Sequence, residues 1–260
     1  MSDTARSHSG ELMSVDMFEV RFRRELEKLP NFVANDRRDP RVWPRRGSEE
    51  AKFPAWRALF SAMCLFGHST GYRLFSFEKF YNYCKRAYIE RHPEPQRFAP
   101  YFSGDLEAGM RQRISVWYES GMAETYLYAC LSEAIEDKSK AGVVLYDPRA
   151  DWKLKSDLVI VINKQPLRVS AYVGEYGDRP SIEARREEIE RMRKRNTSES
   201  SHWLNSELDA MPLFEISRTD SDMQIVNGVR LFSLRAVNEL LDRLYTHAGI
   251  SGWVFPVHQP

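Results

Sequence analysis

The sequence predicts an α/β (α+β) fold in which helices flank a mixed β-sheet and a mainly helical region precedes it. Between residues 11 and 91 the apolar positions recur every three or four residues, which is the spacing of helices. Beyond residue 140 come three short runs rich in Val and Ile, separated by turn residues, which indicate three consecutive antiparallel strands. A further helix, two strand-like runs and a final helix follow, and this order favours a sheet covered by helices.

The helical N-terminal region, residues 1–107, contains three predicted helices. The first ends near Pro30, and the second runs from Pro54 to Gly67. The third follows Ser76, whose hydroxyl is a suitable N-cap, and stops before Pro93. The apolar stripe of the first helix consists of Phe18, Phe22, Leu26 and Leu29.

A second domain, residues 108–260, is predicted to follow a stretch rich in Pro and Gly at 93–109. A helix over 112–137 precedes the sheet, and the last helix, 233–247, has one apolar face. A polar helix over 180–196 connects the third strand to the fourth. The predicted strands cover 141–148, 156–162, 166–174, 212–218 and 229–234.

The composition excludes several classes of protein. Lys and Arg number 38 against 37 Asp and Glu, so the net charge of +1 rules out a globally basic nucleic-acid binder. No apolar run approaches the roughly 20 residues of a transmembrane helix. The polar start lacks a signal core, so we expect a cytoplasmic protein without membrane contact. Cys64, Cys84 and Cys130 have neither zinc-site nor disulfide spacing and are predicted to be core thiols.

The common catalytic motifs are absent from the sequence. There is no Gly-rich phosphate loop of Walker or Rossmann spacing, no HExxH and no GxSxG. The six histidines are dispersed and form no helical pair of metal ligands. Nucleotide hydrolysis on a P-loop, dinucleotide redox chemistry, zinc proteolysis and the usual serine hydrolase route therefore lack support.

The order of elements, with Asp157 opening the second strand of the sheet, resembles the PD-(D/E)XK (restriction-endonuclease-like) nuclease superfamily over about residues 112–245. The resemblance implies a nuclease-like core and hydrolysis of phosphodiesters with a divalent metal such as Mg²⁺. It also implies that Asp157 and a carboxylate from the preceding helix bind that metal. Glu133 is the first choice for the helical carboxylate, and Glu124 is the weaker candidate. Carboxylates suit the task because Mg²⁺ prefers hard oxygen ligands.

The third strand departs from the family pattern. Where the family has an acidic residue, any residue and a lysine, this chain has Ser170-Ala171-Tyr172. Some members of the superfamily keep a serine there and take the acidic ligand from the following helix, for which Glu187 or Glu183 is available here. The missing positive charge could come from Arg185, Arg186 or the hairpin residue Lys164. The expected catalytic set is Asp157, Glu133, Glu187, Ser170 and Tyr172, of which Asp157, Glu133 and Glu187 would hold the metal.

Each of these residues also has a plain structural interpretation. Asp157 could cap the turn before its strand, and Glu133 could be a solvated helix residue next to Asp137 and Lys138. Tyr172 alternates with apolar neighbours and could be a packed strand residue.

Two basic segments are candidates for binding nucleic acid. The helix over 185–195 has six basic residues and a strongly cationic last turn, and Trp43 lies among the arginines of 36–46. The expected contacts to nucleic acid are Arg185, Arg186, Arg191, Arg193, Lys194, Arg195 and Trp43. The alternative is a solvated helix whose cations complement its own C-terminal dipole.

Three functions stay open at this point. The first is a DNA-acting hydrolase of bacterial or mobile-element origin, whose helical N-terminal region selects the substrate or a protein partner. The second is a scaffold without catalysis or metal that binds nucleic acid or protein through a degenerate nuclease fold. The third is a small-molecule enzyme or toxin with an unrelated α/β fold, because a fold does not determine a function.

Overall fold

The computed structural model describes residues 19–33, 73–91, 105–145, 156–172, 210–217 and 223–251, together with Glu94, Gln96 and Ala99. It contains both helices and a mixed sheet, so the predicted α+β class is confirmed. The described residues divide into two compact units. The first unit holds those up to Ala129 together with Gln224–Leu231, and the second holds those from Cys130 to Met223 and from Phe232 onward.

The helices of the first unit begin and end on local signals. Helix α1, Glu19–Glu27, buries Phe22 and Leu26, as its apolar stripe predicts. Helix α2, Phe77–Arg91, starts after Ser76, whose Oγ accepts a hydrogen bond from the Lys79 N–H at 3.4 Å. The predicted N-cap is therefore confirmed.

Helix α3, Leu106–Ser132, starts six residues before the predicted Gln112. The start at 112 was wrong because Asp105 caps the helix from inside the Pro- and Gly-rich stretch: its Oδ1 accepts the Ala108 N–H at 2.9 Å. The helix continues into one π-helical turn, Glu133–Lys138. Such turns are rare and occur frequently at functional sites.

Aromatic rings fill the core of the first unit. Tyr118 on α3 lies 5.1 Å from Phe32 and 6.0 Å from Phe80, measured between ring centroids. Its hydroxyl donates a hydrogen bond to the Phe75 carbonyl at 2.8 Å, so the polar end of this buried ring is satisfied. Burial raises the pKa of the Tyr118 hydroxyl, which therefore stays protonated.

A hairpin from late in the chain completes the first unit. Strands β5, Met223–Val226, and β6, Val229–Phe232, are joined by Asn227-Gly228, a pair that favours a tight turn. The sequence prediction included β6 and missed β5. The Asn227 side-chain amide donates to the carbonyls of Leu26 at 3.0 Å and Leu29 at 2.5 Å. The turn thus binds carbonyls at the C-terminal end of α1, of which that of Leu26 also accepts the Leu29 N–H at 3.1 Å.

Two polar networks hold this hairpin in the first unit. Arg230 donates to both carboxylate oxygens of Glu119, from Nε at 2.8 Å and from Nη2 at 3.0 Å. Tyr126 donates to the buried Glu19 carboxylate at 3.0 Å and accepts from Gln224 at 2.8 Å. A bidentate arginine is the geometry that best compensates a buried carboxylate, so loss of one partner leaves a buried charge unpaired.

A four-stranded sheet with the order β1-β2-β3-β4 forms the core of the second unit. Its strands are β1, Gly142–Leu145, β2, Leu158–Ile162, β3, Gln165–Tyr172, and β4, Leu213–Ser217. The first three pair antiparallel, which confirms the predicted run of three antiparallel strands. Strand β4 pairs parallel to β3, which requires a crossover connection between them.

Helix α4, Leu234–His247, follows the sheet and has Ser233 as its N-cap. It buries Val237, Leu240, Leu241 and Leu244, as the apolar face predicts. Its Tyr245 hydroxyl donates to the Ala134 carbonyl at 3.2 Å and lies 2.9 Å from Ser139 Oγ. Helix α4 is therefore fixed to the π-helical turn that precedes β1.

A carboxylate binds one of the outward-facing N–H groups of the edge strand β1. Oε1 of Glu136, on the π-helical turn, accepts the Val144 N–H at 2.6 Å. An edge strand otherwise offers its N–H groups to other chains, so this contact closes part of the edge. Burial raises the pKa of the Glu136 carboxyl, and the Val144 hydrogen bond partly offsets the rise.

Two further predictions concern burial and membranes. Cys84 and Cys130 are buried thiols outside any disulfide, as predicted, and burial raises the pKa of the Cys84 thiol to about 12. Cys64 and the second predicted helix, Pro54 to Gly67, lie outside the described residues.

In the part of the chain that the structure describes, no helix is both long and apolar enough to cross a membrane.

We expect Gly228→Ala to destabilise the first unit strongly. Gly228 has a φ of +79°, and a Cβ there would lie 1.8 Å from the Phe32 carbonyl oxygen. Gly249→Ala is the matched control, because Gly249 has a φ of +72° and no atom within 4 Å of the added carbon. In urea unfolding the control should lose roughly 1–2 kcal/mol from backbone strain, and Gly228→Ala about 3 kcal/mol or more. Equal losses would contradict the close approach to Phe32.

Glu136→Gln should change how stability depends on pH. The folded-state pKa of Glu136 is raised above the ordinary value of 4.5, so its stabilising contribution is present below 4.5 and is lost as the pH rises through the folded-state pKa. Glutamine can still accept the Val144 N–H and carries no charge. The variant should match wild type in acid and exceed it at neutral pH in thermal unfolding. A constant difference at every pH would show that the carboxyl titrates alike in both states.

Candidate functional site

Asp157 lies directly before β2, and only 6% of it is exposed. Its backbone N–H donates to the Val169 carbonyl at 2.9 Å, and its Oδ2 accepts the Ala171 N–H at 2.5 Å. The carboxylate thus takes the place that a backbone carbonyl would have if β2 continued. This is a capping interaction, directed at the neighbouring strand β3.

Alternation along the strands separates an apolar face from a polar face of the sheet. Leu158, Ile160, Leu167 and Val169 share one face and are fully buried. Ser170, 1% exposed, and Arg168, 7% exposed, stand on the other face. Arg168 Nε donates to the Met211 carbonyl at 3.0 Å. A buried serine and a buried arginine on one strand are unusual, because such groups are mostly exposed unless they have partners.

Glu215 of β4 joins the polar face. The parallel register pairs Ser170 with Glu215, and residues paired in this way share a face. The β2–β3 ladder ends at the pair Leu158 and Val169, and the Asp157 N–H binds the Val169 carbonyl one residue out of that register. Asp157 therefore lies at a bend beside the strand end, outside the ladder. Ser170 and Glu215 therefore lie side by side on this face, on strands about 4.8 Å apart.

The expected helical carboxylate, Glu133, is buried, so its interpretation as a solvated helix residue is wrong. It is 8% exposed and forms an ion pair with Lys138 at 2.6 Å. The five-residue spacing of this pair follows the π-helical turn, which brings positions i and i+5 above one another. The weaker candidate, Glu124, is buried within the first unit.

The π-helical turn with Glu133 lies at the β1 edge of the sheet. Its Glu136 accepts the Val144 N–H of β1, and the turn contacts α4 through Tyr245. Helix α4 covers the apolar face, because the ring of His247 lies 5.4 Å from that of Phe214, which is paired with Val169. Ser170 stands on the other face of β3, two strands from that edge.

Lys164 does not supply the positive charge that β3 lacks. It lies in the β2–β3 turn, six residues along the strand from Ser170, which corresponds to about 20 Å. Arg168, two residues from Ser170 on the same face, is the cation that β3 itself provides.

Several expected site residues lie outside the described residues or are described only in part. The backbone of Tyr172 ends β3 opposite Ser217, whereas its side chain is outside the description. The remaining predicted residues outside the described ranges are Glu183, Glu187, Arg185, Arg186, Arg191, Arg193, Lys194, Arg195 and Trp43.

The fit of a divalent metal can be judged from the donors present. Among the described ranges, no three or more His, Cys, Asp or Glu side chains converge as a metal site. The polar face offers the Ser170 hydroxyl and the Glu215 carboxylate, and Asp157 lies at the end of β2 with its Oδ2 on the Ala171 N–H. Mg²⁺ is commonly held by one or two carboxylates together with the phosphates of a substrate.

Glu215 and Arg168 were missed by the sequence analysis. Both lie in predicted strands, but no local pattern tells which residue of β4 stands beside Ser170. That pairing depends on the register across the crossover, which sequence periodicity does not give.

Comparisons with models of protein families, with curated proteins and with solved structures find no match to this chain.

We expect Asp157→Ala to lower the free energy of unfolding, because the buried Ala171 N–H loses its acceptor. The loss should be about 1–3 kcal/mol. Asp157→Asn should cost less, because its side-chain carbonyl can still accept the hydrogen bond. Asp242→Ala on the exposed face of α4 serves as the control and should change stability by less than about 0.5 kcal/mol. Equal stability of Asp157→Ala and wild type in urea unfolding would rule out the capping role.

Proposed function

We propose that this chain acts on nucleic acid through a divergent nuclease-like domain built on the sheet of the second unit. The observation that carries the proposal is the topology around Asp157. A helix leads into three antiparallel strands, a fourth strand pairs parallel to the third, and Asp157 opens the second strand. This is the arrangement that the resemblance to the PD-(D/E)XK superfamily implies.

The end of β2 and the neighbouring polar face support a site for phosphodiester chemistry. Asp157 and Glu215 supply hard oxygen atoms, and Ser170 supplies a hydroxyl beside Glu215. A divalent ion bound there with the substrate would neutralise phosphate charge and lower the pKa of a water molecule. The chain's own part is to hold Asp157 in place through Ala171 and to exclude water around the buried Ser170.

Contacts to the nucleic-acid backbone are assigned to the basic segments of the sequence. The cationic run over 185–195 follows β3 in the chain and precedes β4, so it belongs to the crossover of the nuclease-like domain. Because such contacts release counterions, affinity should fall steeply with salt. A second contribution, from Trp43 and its neighbouring arginines, would combine stacking with phosphate contact.

A scaffold without catalysis is the second candidate, and one observation favours it. The Asp157 carboxylate is already engaged in capping β3, and β3 carries neither the acidic residue nor the lysine of the family. A domain that has lost its chemistry would retain Asp157 for stability alone. It would still bind nucleic acid or a protein partner.

A paired assay separates the two candidates. Purified full-length chain is incubated with single-stranded, duplex and branched DNA and with Mg²⁺ or Mn²⁺, and binding is measured at two salt concentrations. Asp157→Asn is compared with wild type, because it keeps an acceptor for Ala171 and removes the charge. Asp242→Asn is the control with the same chemical change on an exposed surface.

The nuclease is supported if wild type and Asp242→Asn cleave and Asp157→Asn does not. Equal cleavage by Asp157→Asn and wild type excludes Asp157 from the chemistry and counts against the proposal. Salt-sensitive binding without cleavage supports the scaffold. If neither binding nor cleavage occurs, the nucleic-acid proposal fails.

A further inference from the structure

We propose that Asn227 is a site of deamidation and that this modification releases the C-terminal end of α1 from the β5–β6 hairpin. The inference does not depend on the proposed function, because every residue that takes part in it belongs to the first unit. The Gly228 backbone nitrogen attacks Cγ of Asn227 and forms a C–N bond. The side-chain nitrogen leaves as ammonia with the proton of the Gly228 N–H. Water then opens the resulting succinimide to isoaspartate or aspartate.

The sequence at the hairpin turn favours this reaction. The attacking nitrogen belongs to Gly228, and a glycine has no Cβ that shields its nitrogen. Both residues of the turn are partly exposed, so water reaches the ring. The β2–β3 turn offers an internal comparison, because Asn163 has the same φ of 49° as Asn227 and is more exposed. Lys164 follows Asn163, and its side chain hinders attack by its nitrogen.

The side chain of Asn227 holds α1 on the hairpin. Its Nδ2 donates to the Leu26 carbonyl at 3.0 Å and to the Leu29 carbonyl at 2.5 Å. The carbonyl of Asn227 also accepts the Phe32 N–H at 3.0 Å. A carboxylate has no donor for the two helix carbonyls and brings negative charge towards their oxygens. Isoaspartate in addition lengthens the main chain by a carbon and displaces the carbonyl that binds Phe32.

The same hydrogen bonds control when the reaction occurs. Ring closure turns the Asn227 side chain back towards Gly228, so Nδ2 first has to leave both carbonyls of α1. The amide is therefore protected while α1 is docked and reacts when this end of the helix opens. Helix ends open locally at a much lower free energy than the whole domain unfolds. An opening that ends in deamidation leaves α1 without the two hydrogen bonds that held it.

The rate of deamidation in the full-length chain is the first test. The protein is incubated at mildly alkaline pH, in native buffer and in concentrated urea, and isoaspartate and aspartate at Asn227 and Asn163 are measured by peptide mass spectrometry. In native buffer Asn227 should convert severalfold faster than the more exposed Asn163. Urea should accelerate Asn227 further, because it removes the hydrogen bonds to Leu26 and Leu29.

Two results of this test would count against the proposal. Conversion of Asn227 no faster than that of Asn163 in native buffer would overturn the assignment of the site. Equal conversion of Asn227 in native buffer and in urea would overturn its protection by α1.

The effect on α1 is tested with the product of the reaction. Asn227→Asp supplies the aspartate form, and Asn31→Asp is the matched control, because Asn31 is exposed in the segment that follows α1. Hydrogen exchange of the α1 amides should be severalfold faster in Asn227→Asp than in wild type or the control, and exchange in α2 should be unchanged. Unchanged exchange in α1, or an equal rise in α1 and α2, would reject a local release of the helix. If Asn227→Asp does not fold, wild-type protein deamidated in native buffer and separated from the unmodified form replaces it.

Discussion

The parallel pairing of β4 with β3 is the constraint on which the second unit depends. The chain leaves β3 at Tyr172, beside Ser217, and re-enters the sheet at Leu213, beside Arg168. The intervening segment must therefore cross back towards the end of the sheet at which β3 begins. The pairing also fixes which residues share the polar face. A shift of one residue would turn Glu215 to the apolar face and remove it from its place beside Ser170. The pairing of β4 with β3 thus determines both the fold of the second unit and which residues make up the candidate site.

Local patterns predicted much of the fold. Hydrophobic periodicity and N-caps correctly predicted the positions of α1, α2, α4, β2 and β3. Each of these elements has its whole apolar face within one stretch of sequence, so a local pattern is enough to find it. The start of α3 was misplaced because Asp105 caps the helix inside a stretch that resembles a linker. Strand β5 was missed because its four residues, MQIV, alternate only weakly. That hairpin owes its position to partners distant in sequence, such as Leu26 for Asn227.

The candidate site was less predictable than the fold, because its members meet only through tertiary structure. Asp157 could be chosen from its position before a strand, and Ser170 from the count along the hairpin. Glu215 could not, because the register across a crossover has no local signal. The alternative interpretation of Glu133, as a solvated helix residue, failed for another reason. Its charged neighbours suggested a solvated helix end, but the π-helical turn buries it and pairs it with Lys138.

Capping explains why Asp157 accepts a hydrogen bond, but it does not explain why the residue carries a charge. The Ala171 N–H needs one acceptor, and the neutral side chains of Asn or Ser provide it as well. A carboxylate that is 6% exposed carries in addition a desolvation cost of its charge, which is large unless a positive group compensates it. Capping alone thus leaves the charge of Asp157 unexplained, whereas a part for Asp157 in the proposed chemistry would require that charge.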